Sequence, residues 1–257
     1  MKYFVVGDVH SYYTYLENVL NKAKFDKNNS NHFFISLGDL LDRGDMPREC
    51  LKFVLSLDPS RRALVRGNHE DLLENIVKTE SFKKRDFTNG TMGTLSKLTN
   101  IKYYEFYEML NRISKDEDLY NYYQSLVDYY EIEDYVFIHG WIAKKDSSYK
   151  DWRNANREEF DEARWMNGFD AWDAMKNDEY KEKKTIVCGH FHTPYGHSVY
   201  HHLGKDILED LKLDNCHFEP FVDEGIIGID ACSALSHKMN LLVIDDETKN
   251  IEFYVND

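Results

Sequence analysis

Short apolar runs, rich in β-branched and aromatic side chains, recur along the chain and predict β-strands. They lie at 3–6, 33–37, 63–65, 135–138, 185–188, 226–229, 241–244 and 251–255. The last two are separated by the polar segment 245–250. Because two apolar runs joined by a short polar segment are typical of paired antiparallel strands, this spacing predicts a hairpin at 241–255.

Between the first strands, apolar residues recur at helical spacing over 12–23 and 46–57, and 71–78 predicts the start of another helix. Strands alternating with helices are typical of an α/β fold whose first strands pair mainly in parallel. Two helical regions, at about 71–134 and 144–184, interrupt this order. We interpret them as insertions on a single domain spanning 1–257, either forming a wall over the functional site or serving as ordinary outer helices.

Composition narrows the classes of function that this fold could carry. The chain has 257 residues, enough for one large domain with a core, and a formal net charge of −14. Such an acidic surface makes broad binding to nucleic acid unfavourable, although it does not exclude a phosphorylated substrate. No apolar stretch is long enough for a secretory signal or a membrane span, and the four cysteines form no CxxC pair. We expect a cytoplasmic protein without membrane contact, and the sequence does not indicate an oligomeric state.

Five predicted strands are each followed by a glycine beside a side chain that can bind a metal ion. These segments are 7–10, 38–44, 67–70, 139–140 and 189–192. Because ligand sites in α/β sheets gather at the carboxyl ends of strands, we expect the five segments to converge.

The side chains in these segments suit a pair of divalent ions. Aspartate, histidine and asparagine are typical ligands of manganese, iron or zinc, and a carboxylate can bridge two ions. Two ions about 3.5–4 Å apart can hold a hydroxide at neutral pH and clamp a phosphoryl group during in-line displacement. The candidate ligands are Asp8, His10, Asp39, Asn68, His139 and His190.

Taken together, the motifs GDVH (7–10), GDLLDRG (38–44), RGNHE (66–70), HG (139–140) and GH (189–190) resemble those of the calcineurin-like metallophosphoesterases. They are most similar to the phosphoprotein phosphatase branch, which includes Ser/Thr phosphatases and symmetrical diadenosine tetraphosphatases. The resemblance implies a four-layer α-β-β-α sandwich of two mixed sheets with outer helices. It also implies two bound divalent ions, with manganese favoured over iron or zinc.

The same resemblance implies a division of the metal ligands. Asp8 and His10 would bind the first ion, and Asp39 would bridge both. The second ion would be bound by the remaining ligands, namely Asn68, His139 and His190.

Further roles follow from the resemblance for residues beside the ligands. Arg43 would clamp phosphate oxygens, because its planar guanidinium offers a fork of donors. His69 would act as the general acid for the leaving oxygen while a bridging hydroxide attacks, and Asp42 would orient the ring of His69. For Glu70 we favour a structural role. For Arg66 we favour an ion pair over a phosphate contact.

A second phosphate-binding arginine is expected after His139, and the spacing leaves three candidates. They are Arg153, Arg157 and Arg164, of which we favour Arg164.

The chain also departs from the branch pattern at Ser11 and at Trp141, which stand where glycines are usual. Trp141 could line the pocket or cap the core. His192, in the GHFH motif, matches a histidine that binds the first metal in the wider superfamily, and we favour that role over an indirect one.

Three hypotheses about function remain. The first is a phosphomonoesterase resembling the Ser/Thr protein phosphatases, acting on a phosphorylated protein or a small phosphoester. The alternative is a hydrolase of dinucleoside polyphosphates such as diadenosine tetraphosphate. A non-catalytic binding module is disfavoured, because the ligand set and the Asp42–His69 pair are both present.

Overall fold

The computed structural model describes residues 1–145, 148–149, 152–166, 184–200 and 216–257. The strands of these residues are β1 (Lys2–Val6), β2 (His32–Ser36), β3 (Arg62–Val65), β4 (Leu126–Val127), β5 (Tyr130–Glu131), β6 (Tyr135–Ile138), β7 (Lys144–Lys145), β8 (Ser148–Tyr149), β9 (Thr185–His192), β10 (Phe221–Asp223), β11 (Ile226–Asp230), β12 (Asn240–Asp245) and β13 (Asn250–Val255). The α-helices are α1 (Tyr13–Lys22), α2 (Pro47–Ser56), α3 (Asn68–Thr79), α4 (Lys84–Thr88), α5 (Thr91–Thr99), α6 (Phe106–Ile113), α7 (Glu117–Gln124), α8 (Arg157–Ala163), α9 (Thr193–Tyr200) and α10 (Ser233–Ser236).

Most of these strands form two mixed sheets. The first has the order β13-β12-β1-β2-β3-β4, and the second has the order β10-β11-β9-β6-β5. In the first sheet β1, β2 and β3 pair in parallel, whereas β12 and β13 pair antiparallel as the predicted hairpin. In the second sheet β9 lies between β6 and β11 and is parallel to both.

Apolar side chains fill three spaces, between the sheets and on the outer face of each. Val5 and Ile35 of the first sheet pack against Val187 of the second sheet between the two. Phe4, one residue from Val5, points to the opposite face, where helices cover the first sheet. This alternation with a period of two follows from strand geometry. Trp141 packs in the cluster that covers the outer face of the second sheet. The predicted four-layer α/β sandwich is therefore confirmed.

All eight predicted strands are confirmed, with small differences at their ends. Helix α3 begins at Asn68, three residues earlier than the sequence predicts, so Asn68 and His69 lie in its first turn. Strand β9 continues to His192, and its pairing with β11 shifts register between Gly228 and Asp230. Both differences occur at motifs that contain metal-capable side chains. Those side chains therefore lie in the first turn of a helix or at the end of a strand.

The region 71–134 is helical as expected, but it also contains β4 and β5, which lie at the edges of the two sheets. Such two-residue strands are too short to leave a periodic signal in the sequence. Of the region 144–184, β7, β8 and α8 are described, whereas Trp172 lies outside the described residues. Whether either region is an insertion stays a prediction. Within the described residues, no helix is both long and apolar enough to cross a bilayer.

Candidate metal centre

The carboxyl ends of β1, β2, β3, β6 and β9 meet at one edge of the sandwich, and their loops adopt unusual backbone geometry. Thirteen non-glycine residues of the described chain have positive φ, and seven of them lie at these strand ends or in the loops that follow them. The seven are Asp8, His10, Ser11, Asp39, Asp42, Arg43 and His190. Because left-handed geometry is unfavourable for most L-residues, such clustering is typical of a functional site held in place by its surroundings.

Asp39 is common to two groups of potential metal ligands. The first group contains Asp8, Asp39, His139 and His190, and the second contains His10, Asp39 and His69, with ligand atoms inside each group within 4.8 Å of one another. Gly67 permits this approach, because a Cβ there would lie 2.2 Å from Asp39 Oδ1. A carboxylate shared by two groups is the arrangement that a bridging ligand requires.

Hydrogen bonds to the backbone orient the histidine rings toward Asp39. The Nδ1 of His10 lies 3.0 Å from the carbonyl oxygen of Leu41, and the Nδ1 of His139 lies 2.7 Å from that of Leu37. Because a carbonyl only accepts, each Nδ1 donates, which leaves a lone pair on each Nε2.

Three acceptor atoms of this site lie close together. The Nε2 of His139 lies 2.8 Å from Asn68 Oδ1 and 3.5 Å from Asp39 Oδ1. Since all three atoms are acceptors when the imidazole is neutral, a cation between them would satisfy them together. The residues present therefore fit a divalent metal centre in donor type and in orientation.

The pKa values of the buried groups agree with this interpretation. Burial, followed by the neighbouring His139, lowers the pKa of His190 to about 3, and burial also lowers the pKa of His10. Both rings are therefore neutral, which is the form that binds metals. Burial opposes ionisation of Asp39, but the nearby imidazoles of His139 and His69 hold its pKa well below the usual range. Burial and the nearby carboxylates of Asp230 and Asp39 raise the pKa of Asp8 well above its usual value, a cost that a bound cation would remove.

Glu70 joins the loop after β2 to the loop after β3. Its Oε2 accepts hydrogen bonds from the backbone N–H groups of Asp39 (2.9 Å) and Gly67 (2.8 Å). Its Oε1 accepts from the N–H of Leu40 at 3.0 Å and from the hydroxyl of Tyr122 at 2.9 Å. The carboxylate is 1% exposed and lies among groups that donate to it, which fits the structural role favoured from the sequence.

His69, Asp42 and Arg43 lie together beside Asp39. The Nδ1 of His69 is 2.7 Å from Asp42 Oδ2, and its Nε2 is 3.3 Å from Arg43 Nη2. Burial opposes the charged form of His69, but the carboxylates of Asp39 and Asp42 raise its pKa above the ordinary value. Because arginine only donates, Nε2 accepts from Arg43 in this arrangement. Nε2 can carry the proton that a general acid needs once the donor of Arg43 turns to another acceptor, such as a phosphate oxygen.

Thr91, which the sequence did not single out, completes this arrangement. Its hydroxyl donates a hydrogen bond to Asp42 Oδ2, and the residue is fully buried. It lies at the start of α5, inside the region interpreted as an insertion. No local pattern marks such a residue, because its partner is 49 positions away in the chain.

Arg164, the favoured second phosphate contact, is 3% exposed and pairs with three carboxylates. Its guanidinium contacts Asp71 (2.7 Å), Asp128 (2.9 Å) and Asp161. Because each of its three guanidinium nitrogens contacts a carboxylate, the structure favours a structural role for Arg164 over phosphate binding.

The other arginines considered from the sequence are also paired with acids. Arg66 pairs with Asp71 at 3.0 Å and with Glu74 at 3.2 Å, as favoured from the sequence. Arg153 pairs with Glu131 at 2.9 Å, and Arg157 pairs with Glu74 at 3.2 Å.

His192 lies in a third group, with Asp230 and Cys232. Its Nε2 is 3.3 Å from Asp230 Oδ2, and its ring centroid is 6.5 Å from that of His190. Asp230 is buried and raises the pKa of Asp8, so this group adjoins the metal ligands. Direct coordination by His192 stays a prediction.

Trp141 lies in the core, whereas Trp165 lies beside the site. Trp141 is 1% exposed and packs in the core, so it caps the core as one of the two sequence interpretations expected. Trp165 is 46% exposed, and its ring lies edge-on to that of His190 with centroids 6.4 Å apart. Trp165 therefore contributes to the wall of the site.

Comparisons with known proteins agree with this geometry. A family model described as calcineurin-like phosphoesterase matches residues 1–219. The symmetrical bis(5'-nucleosyl)-tetraphosphatase of Pasteurella multocida is 36% identical over 87 residues, covering 34% of this chain and 30% of that protein. The protein of the same name from Proteus mirabilis is 38% identical over 90 residues, covering 35% and 32%. The aligned part thus spans about a third of these curated relatives.

A solved structure shows the same fold over the whole chain. The metallophosphoesterase from Sphaerobacter thermophilus has a TM-score of 0.55 and 16% identity, covering 100% of this chain and 88% of that one. At this identity the likeness concerns the fold alone.

Asp39→Asn should abolish most metal binding, because Asp39 is the carboxylate shared by both ligand groups. Asp8→Asn should mainly weaken the binding of one ion, because Asp8 belongs to one ligand group. Asp45→Asn, whose side chain is 91% exposed in the same loop, is the matched control. Metal content per chain, measured by elemental analysis after dialysis, checks this, and two tightly bound ions in Asp39→Asn would contradict it.

Glu70→Gln should destabilise the fold by about 1–3 kcal/mol, because an amide NH₂ would face backbone donors that now have an acceptor. Urea unfolding in EDTA measures this without a contribution from bound metal. Glu74→Gln on the same helix is the control, since its side chain is 24% exposed and its ion pairs contribute about 1 kcal/mol or less. Equal stability of the two variants would show that Glu70 does not hold the loops.

Proposed function

The chain belongs to the calcineurin-like phosphoesterase family, and we propose that it is a metal-dependent hydrolase that cleaves dinucleoside polyphosphates such as diadenosine tetraphosphate. The hydrolytic part of this proposal rests on one observation, namely that Asp39 is shared by two ligand groups beside the His69–Asp42 pair. The choice of substrate is supported by the curated relatives, which are symmetrical bis(5'-nucleosyl)-tetraphosphatases. Because those alignments cover about a third of each relative, the activity of the whole chain is a proposal.

Two divalent ions, for which we favour manganese, would be held by the ligands predicted from the sequence. The resemblance assigns Asp8 and His10 to one ion and Asn68, His139 and His190 to the other, with Asp39 shared. In the structure the ligand atom of Asp8 lies with those of His139 and His190, whereas that of His10 lies with that of His69, so Asp8 would be near both ions. When bound, the ions supply Lewis-acid activation of water and neutralise charge on the phosphoryl oxygens.

The chain's own side chains then have separate tasks. Arg43, whose guanidinium is exposed toward solvent beside His69, binds oxygens of the phosphate chain. His69 delivers a proton from Nε2 to the leaving oxygen, and Asp42 fixes the orientation of the ring. In symmetrical cleavage, water adds to one central phosphorus, the P–O bond to the other central phosphate breaks, and two nucleoside diphosphates leave.

The second candidate is the phosphomonoesterase hypothesis, acting on phosphoserine- or phosphothreonine-like esters. The observation that favours it is the same His69–Asp42 pair. A positioned general acid matters most for poor leaving groups such as alkoxides, and less for a nucleoside diphosphate. The two candidates differ in the leaving group, so substrates separate them.

Metal-loaded protein should hydrolyse diadenosine tetraphosphate to two molecules of ADP, and do so faster than it dephosphorylates a phosphoserine peptide. Product analysis by ion-exchange chromatography in Mn²⁺ buffer measures both reactions. Asp39→Asn, purified in the same way, controls for contaminating activity. Turnover of the peptide but not of the dinucleotide would support the second candidate instead, and no turnover of any phosphoester would support a binding module.

His69→Asn should leave the metal content unchanged but lower kcat for phenyl phosphate by about 10²–10⁴, the usual contribution of general acid–base catalysis. The loss should be smaller for p-nitrophenyl phosphate, because its leaving group departs without a proton. These two esters carry the same phosphate group and differ in the nitro group, which makes the phenolate a better leaving group, so their ratio reports on protonation of the leaving group. An equal loss for both would mean that His69 acts by another route.

A further inference from the structure

A cluster of exposed aromatic rings lies near Gly90, which packs against the loop that carries Arg43. We define the aromatic ledge as Phe82, Phe87 and Tyr103, which are 43%, 44% and 56% exposed. The rings of Phe82 and Phe87 have centroids 5.4 Å apart, and those of Phe87 and Tyr103 are 5.8 Å apart. Both pairs meet edge to face, so the rings support one another while parts of their surfaces face solvent.

The charge around the aromatic ledge is opposite to that of the whole chain. Five basic and two acidic residues lie between 81 and 107, a net of +3, whereas the chain carries −14. Lys83, Lys84 and Lys102, which flank the rings in sequence, are all exposed. Flat apolar rings among cations match a ligand that is itself flat, aromatic and anionic.

The aromatic ledge is joined directly to the loop that carries Arg43. Gly90 has φ of +89°, and a Cβ there would lie 2.4 Å from the backbone nitrogen of Arg43. The N–H of Gly90 donates to the carbonyl oxygen of Phe87 at 3.2 Å. Since consecutive Cα atoms are about 3.8 Å apart, the Cα of Phe87 lies within about 11 Å of the Cα of Gly90. A nucleoside diphosphate is long enough to span a distance of this order. The next residue, Thr91, donates a hydrogen bond to Asp42. The segment that carries Phe87 is therefore attached to the Asp42–Arg43 loop at two neighbouring residues.

We propose that the aromatic ledge binds one nucleobase of a nucleotide substrate by stacking while the phosphates lie on Arg43 and the metal centre. The inference rests on the proposed function, because it assigns the nucleoside part of that substrate to a place on the protein. Every base has a π-face, so a stacking site of this kind tolerates different bases. The flanking lysines add attraction for the phosphate chain.

The test compares ligands that differ only in the nucleoside. Calorimetry on the metal-loaded protein measures the Kd of ADP and of pyrophosphate, without requiring turnover. The double variant Phe87→Leu/Tyr103→Leu keeps apolar bulk but removes both π-faces. It should raise the Kd of ADP roughly 5- to 150-fold, the range expected for one stacked base, and leave the Kd of pyrophosphate unchanged. Tyr120→Leu, 64% exposed on α7, is the matched control and should change neither.

Steady-state kinetics supply the second readout. The same double variant should raise KM for diadenosine tetraphosphate and leave kcat and the hydrolysis of small phosphoesters unchanged. The single variant Tyr103→Leu, which changes the most exposed ring of the aromatic ledge, should also raise KM and weaken ADP binding, but by less. It provides the same test if the double variant fails to fold. Unchanged ADP affinity in both variants overturns the proposal.

The outcomes separate the two proposals. If the protein fails to hydrolyse the dinucleotide but loses ADP affinity in the variants, the proposed function fails and the stacking site stands. If it hydrolyses the dinucleotide with unchanged KM and ADP affinity in the variants, the stacking site fails and the function stands. Equal weakening of ADP and pyrophosphate would assign the effect to the phosphate site and overturn base stacking.

Discussion

The buried carboxylate of Glu70 is the constraint on which the metal centre depends. It accepts hydrogen bonds from the N–H groups of Asp39, Leu40 and Gly67, and so binds two loops that follow different strands. Asp39 in turn accepts from the N–H of His69 at 2.9 Å, which ties the shared carboxylate to the first turn of α3. A buried carboxylate without these donors would be strongly unfavourable, so the loops have one arrangement that satisfies it.

Charge balance explains why this arrangement suits metal ions. Burial keeps His10 and His190 neutral, while Asp8 and Asp39 bring carboxylates into the same small volume. Several of these residues also adopt left-handed backbone geometry, whose cost is met by the surrounding sandwich. Lone pairs and carboxylate oxygens are therefore directed into the same small volume, as the binding of a divalent cation requires.

The helical region between β3 and β6 does more than cover the first sheet. Tyr122 of α7 donates to Glu70, and Thr91 of α5 donates to Asp42, so this region holds both a loop-joining carboxylate and the partner of His69. Lys97 of α5 donates to the carbonyl of Gly44 at 2.7 Å. The same region of the chain carries the aromatic ledge, so the proposed base-binding surface belongs to the region that holds Asp42 and Glu70.

The amino-acid sequence by itself determined the strands and the motif residues, because apolar runs and glycines at strand ends are local signals. The four-layer sandwich followed from the resemblance of those motifs to a known family. The tertiary structure decided which distant side chains meet. Arg164 was expected to bind phosphate, but folding brings each of its guanidinium nitrogens against a carboxylate, namely that of Asp71, Asp128 or Asp161. Thr91 carried no signal, since its role exists only once α5 packs on the loop of Asp42. Contacts between segments far apart in the chain depend on the packing of whole elements, and no local pattern encodes them.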